Sequence, residues 1–170
     1  MDKVVDRKFN KLVGDIHRSC LKGRGFKKTA NMFRLYRSPE MSNIIYFQKS
    51  RWNYGEECRF TINVGVYLQP DLEQPNSRFR EYDCQIGTRI GGISNRYEGD
   101  HWWTITEETD DQVLYKEFLF IFEKEILPWL DQFETWLDIV RKGKAGELKG
   151  LLYSNNIKGE MRKLLYGTAL

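Results

Sequence analysis

The chain runs to 170 residues, of which 41% are hydrophobic and 30% charged, with a formal net charge of +3. A chain of this size buries roughly 70% of the surface it exposes when unfolded, so it needs no disulfide or metal staple, and near-average fractions exclude wholesale disorder. The longest purely apolar run, Phe118 to Phe122, is five residues long, whereas a membrane span takes about 20.

Val5, Phe9, Leu12, Val13, Ile16 and Cys20 recur at steps of three and four. That spacing predicts a first helix, stopped beyond Lys22 by Gly23 and Gly25. The period then changes to two. Residues 31–37 and 43–49 read as strands around a Ser38-Pro39-Glu40 turn. Cys58 to Leu68 is the clearest strand, with Cys58, Phe60, Ile62, Val64, Val66 and Leu68 on a core face and Arg59, Thr61, Asn63 and Tyr67 on a polar one. Residues 69–81 carry Pro70 and Pro75 and read as a loop. Two further strands are expected, at Tyr82–Ile90, ended by Gly91-Gly92, and at His101–Ile105. Thr109-Asp110-Asp111-Gln112 has the form of a capping box for a long helix that runs from Leu114 to Val140, with a kink or break at Pro128. Short helices are expected over 147–153 and 160–165. This order predicts an α+β fold: a mainly antiparallel sheet of about five strands, the N-terminal helix and the long C-terminal helix packed on one face, and short helices at the C-terminus. A single domain over 1–170 is expected, with 141–170 as an extension.

Charge is segregated along the chain: residues 1–37 carry +8, 38–68 are neutral, 69–140 carry −10 and 141–170 carry +5. Basic termini folded against an acidic middle account for this pattern. The alternative, a basic patch for nucleic acid, requires Lys8, Lys11, Arg18, Lys27 and Lys28 to share one contiguous face. Cys20, Cys58 and Cys84 are an odd number without metal-ligand spacing, which fits buried thiols in a reduced, cytoplasmic chain. An N-terminus of mixed charge lacks the apolar stretch of a secretory signal. Gly87-Thr88-Arg89-Ile90-Gly91-Gly92 lacks the Lys-Ser/Thr of a phosphate loop, so its glycines read as turn formers. No nucleophile elbow accompanies Asp100-His101, and adjacent acids such as Glu56-Glu57 point to opposite sides of a strand. No catalytic residue, metal or cofactor is assigned.

The polar side of the strands is the remaining constellation. Arg59, Thr61, Asn63 and Tyr67 share one strand face, Gln85, Gly87 and Arg89 another, and Gln48 and Trp52 sit at a nearby strand end. Either a solvated sheet face or a binding surface accounts for them. In Trp102-Trp103, neighbours on a strand face opposite sides: Trp103 is expected on the Leu114–Phe118–Phe122 stripe, and Trp102 beside the polar surface.

The segment Phe47-Gln48-Lys49-Ser50-Arg51-Trp52-Asn53, followed by Phe60 to Tyr67, resembles the bacterial domain-of-unknown-function family numbered 4304. Gly25-Phe26-Lys27-Lys28, Cys84 to Gly91 and Trp102-Trp103 agree with it, and the likeness spans about residues 5–140. It implies a cytosolic bacterial protein with an α+β fold and assigns no catalytic residue. Candidate binding residues are therefore Gln48, Trp52, Arg59, Asn63, Arg89 and Trp102. The leading functional expectation is a non-enzymatic module that recognises a protein partner, immunity- or adaptor-like, through charge complementarity. A small anionic ligand or nucleotide, forked by Arg59 and Arg89, is the rival, and a concave rather than flat arrangement of Gln48, Asn63 and Arg89 would favour it.

Overall fold

A computed structural model of the chain describes residues 3–53, 55–69, 78–97, 99–157, 162–163 and 165. Helix α1 (Val4–Ile16) buries Val5, Phe9, Leu12, Val13 and Ile16, and a π turn at His17–Leu21 carries Cys20 and Leu21 into the same core before the chain turns at Gly25. Strands β1 (Lys27–Thr29), β2 (Met32–Ser38), β3 (Met41–Lys49), β4 (Cys58–Leu68) and β5 (Ile86–Arg89) follow in spatial order, all antiparallel. A sixth strand, β6 (Trp103–Ile105), also pairs with β4. The fold is α+β, as the element order implies.

β1 has no signature in the sequence because all three of its residues are exposed; backbone pairing with β2, not burial, makes it a strand. β4 organises the sheet. One of its edges pairs with β3 over nine positions, from Met41↔Leu68 to Lys49↔Phe60. Its other edge is shared end to end: β6 takes Cys58 to Phe60 and β5 takes Asn63 to Val66. A notch is left opposite Thr61 and Ile62, where Arg89 closes one strand and Trp103 opens the other.

The helices cover one face. Phe47 lies 5.8–6.3 Å, centroid to centroid, from Phe9, Phe60, Phe118 and Phe122, and Trp103 lies 4.8 Å from Phe118. Trp103 is 7% exposed while Trp102 is only half-buried, as the alternation requires. Helix α2 (Asp111–Ile121) starts one residue later than the capping box suggested. Asp110 is the cap, accepting from the backbone of Gln112 and Val113, while Thr109 closes the preceding turn by accepting from the Thr106 N–H. A carboxylate suits the positive end of a helix better than a hydroxyl.

The expected long helix is divided. A π turn at Phe122–Ile126, in which the Leu127 N–H reaches Phe122 O, precedes α3 (Leu127–Leu130). This widening adjoins Pro128, whose ring and missing N–H do not fit a regular α turn. A genuine capping box between Thr135 and Asp138 then begins a separate helix, α4 (Trp136–Lys144).

Two further expectations are corrected. Of the strand expected at Tyr82–Ile90 only Ile86–Arg89 pairs as a strand; Glu81–Asp83 and Ile90–Gly92 are 3-10 turns. Cys84 consequently joins a small cluster with Met32, Ile44, Tyr67 and Phe79 on the sheet's second face, whereas Ile86 joins the helix-covered core. That second face is thus largely covered, and Thr61 and Tyr67 are buried rather than solvated. Residues 147–153 form turns and a bridge, not a helix, because their backbone is satisfied by the β5 edge: Gly87 N–H donates to Leu151 O, Tyr153 N–H to Gln85 O, and Leu152 bridges Ile86. The loop at 70–77 and most of the helix expected over 160–165 lie outside the described residues.

Candidate functional site

Register brings three of the candidate residues together. Gln48 of β3 lies opposite Thr61, one pleat from Asn63 on the same face of β4, and Arg89 of β5 lies opposite Asn63. Asn63 Nδ2 donates to Gln48 Oε1 at 2.7 Å, and Arg89 Nε donates to Asn63 Oδ1 at 3.2 Å. Across the notch Arg89 pairs with Asp100, and its guanidinium lies over the Trp102 ring, 5.5 Å from the centroid. Burial acts to raise the Asp100 carboxyl, but hydrogen bonds from Arg89 and the Trp102 indole outweigh it and hold the group below the ordinary aspartate range.

Gln48, Asn63 and Arg89 floor a groove of about 500 Å³, while Asp100 and Trp102 hold Arg89 from beside it. One wall is the 3-10 turn, with Glu81 and Tyr82, and the other is the C-terminal segment, with Tyr153, Asn155 and Asn156. The walls are tied together where Asn156 Nδ2 donates to the carbonyls of Tyr82 and Cys84 at 2.6 and 2.7 Å. The Tyr153 ring seats on β5 because position 87 has no side chain: a Cβ there would lie 2.7 Å from Tyr153 Cε2 and 2.9 Å from Val64 O.

Trp52 and Arg59 do not join this group. Trp52 is 76% exposed in the β3–β4 connection. Arg59 is exposed on the correct face but four residues along β4 from Asn63, roughly 13 Å at about 3.3 Å per residue. Both share the polar character of the face without sharing its location. The wall residues are invisible to periodicity, since turns and tail segments carry none. Gly87 is the one usable signal: a glycine inside a strand marks close approach of another group, here Tyr153. Gly91 reads the same way, since a Cβ there would meet Gly99 O at 1.7 Å. It is a packing device, not a phosphate cradle.

Elsewhere the expected chemistry is structural. All three cysteines are buried and free, and burial raises each thiol, Cys20 to about 11. His101 lies between Tyr97 and Trp103, and burial lowers its pKa. Acidic groups interleave the basic ones: Asp111 sits 3.7 Å from both Lys8 and Lys11, Asp15 pairs with Lys11 and Arg18, and Asp131 pairs with Arg24 and Arg37. The basic N-terminal region does fold back on the acidic middle. Among the described residues no helix is long and apolar enough to cross a membrane, and no group of three His, Cys, Asp or Glu residues is gathered to hold a metal ion.

Fold and groove together define an α+β domain with a polar cleft on the face of its sheet opposite the main helical layer. Residues 17–132 match the family described as Domain of unknown function (DUF4304), and the chain belongs to that family. The match contains the floor residues and the Glu81–Tyr82 wall, while Tyr153, Asn155 and Asn156 fall outside it. No curated protein and no solved structure matches the chain.

Proposed function

We propose that the groove binds a small polar ligand, with an anionic group of that ligand held by Arg89. Concavity carries this reading: Gln48, Asn63 and Arg89 line an open groove of about 500 Å³, and a recessed arrangement suits a ligand better than a flat docking face does. Arg89 is already oriented by Asn63, Asp100 and Trp102, and its Nη2 has no protein acceptor among the described residues. A guanidinium fixed in this way loses little freedom on binding. Because Asp100 offsets much of its charge, Arg89 supplies directional hydrogen bonds more than net attraction.

Recognition of a protein partner is the second reading, supported by Val113 and Phe120, exposed two turns apart on α2. The interleaved charges around α1 weigh against nucleic acid. The three buried thiols support a reducing, cytoplasmic setting.

A thermal-shift screen of the whole chain against nucleotides, organic acids and amino acids tests the proposal. A ligand at about 100 times its Kd adds roughly 2.7 kcal/mol, and Arg89→Ala should abolish the shift. No shift with any compound would overturn the ligand reading and return the assignment to a protein partner.

A further inference from the structure

We infer that the ligand is a zwitterion of the amino-acid type, with its carboxylate on Arg89 and its ammonium on Glu81. This rests on the groove being a ligand site. Glu81 is the charge in the groove that no contact ion pair holds, Arg80 and Arg34 acting on it only from farther off. It lines the same cavity as Arg89 and is half-buried, and among the described residues no cation lies within ion-pair distance of it. Arg89, by contrast, already has Asp100.

Removing a carboxylate from water without a cation in contact is unfavourable, and burial raises the Glu81 carboxyl above the ordinary glutamate range despite the opposing pull of Arg80 and Arg34. A ligand ammonium would supply that contact. The exposed side chains of Tyr82 and Tyr153 line the same cavity, and aromatic rings of this kind attract cations. A purely anionic ligand brings its charge towards both Asp100 and Glu81 and is repelled by each. A purely cationic one leaves the Arg89 Nη2 hydrogens unmet. A ligand that carries both charges satisfies both ends, and the cavity of about 500 Å³ is of a size that takes an amino acid or a dipeptide.

The test compares three probe sets on the full chain by thermal shift and calorimetry: free L-amino acids, their N-acetyl derivatives and their carboxamides. At least one free amino acid should bind. Its N-acetyl form and its carboxamide should each bind tenfold or more weakly, the ratio set by a charge-assisted hydrogen bond of about 1.5 kcal/mol. In Glu81→Gln the penalty for N-acetylation should vanish, while the penalty for the carboxamide should persist. The comparison within the wild-type chain decides the matter even if the variant folds poorly. N-acetyl amino acids, organic acids or nucleotides binding as tightly as free amino acids would overturn the zwitterion and leave the ligand site standing. Binding of none of these compounds would overturn both.

Discussion

The two faces of the sheet are built from alternate residues of the same strands, yet they are different materials. Under the helices, Phe47, Phe60, Ile62 and Val64 meet Phe9, Phe118 and Phe122 in a continuous hydrocarbon layer. On the reverse, Met32, Ile44, Tyr67, Phe79 and Cys84 form a small second cluster, which gives way to the Gln48–Asn63–Arg89 chain of hydrogen bonds. The first face is closed by helices whose apolar stripes run its length. The second is closed by a 3-10 turn and a tail, both short and polar, and they leave a groove. Hydrocarbon packing is concentrated on one side of β4 and the polar groove lies on the other.

The tryptophan pair offers the sharpest way to break this comparison. Trp103 packs on Phe60 and Phe118, so Trp103→Ala should cost about 3–5 kcal/mol in chemical denaturation. Trp102→Ala, on the groove side, should change stability by about 0.5 kcal/mol or less while weakening any ligand whose anchor is Arg89. Equal losses in both variants would show that the faces are not divided as described. Gly87→Ala comes next. The new methyl group collides with the Tyr153 ring and with Val64 O, so a loss of about 1–3 kcal/mol should accompany displacement of the tail wall and impaired ligand binding. A variant as stable as the parent, with binding intact, would mean that Tyr153 is not part of the site.

Thr61 sharpens the comparison in the opposite direction. Its hydroxyl is buried on the groove side of β4 without a hydrogen-bond partner. Thr61→Val should be neutral or stabilising by up to about 1 kcal/mol, and a clear loss would reveal a partner for the hydroxyl. The smallest effect is expected at the start of α2. Hydrogen bonds from the backbone of Val113 and Gln112 hold the Asp110 carboxyl below its ordinary value of 3.8. A lowered folded-state pKa contributes stability above 3.8 that is lost as pH falls through the folded value. Asp110→Asn should therefore be less stable than the parent at neutral pH, with the difference closing in acid. A gap independent of pH would remove the charge from the explanation.

Much of this architecture was legible because local periodicity carries it. The stripe from Val5 to Cys20, the alternation of Cys58 to Leu68 and the opposed orientations of Trp102 and Trp103 each follow from how side chains project from helix and strand. Of the site, Gln48, Asn63, Arg89 and Trp102 were readable as polar or amphipathic residues on strands with a buried opposite face. Arg59 looks the same in one dimension, and only its position along β4 places it away from the groove, while Trp52 lies in the β3–β4 connection.

What the sequence determined by itself, then, is the class of fold, the burial of its helix-facing core and the polar character of one strand face, since these depend on spacings of two to four residues. What tertiary structure alone decided is the division of the long helix around Pro128, the covering of the second face, and the groove itself. Its walls come from Glu81 and Tyr82 on one side and Tyr153 and Asn156 on the other, some 70 residues apart in the chain. They meet because the edge of β5 offers unpaired backbone groups that the tail satisfies, and because Gly87 leaves room for an aromatic ring where a side chain would otherwise stand.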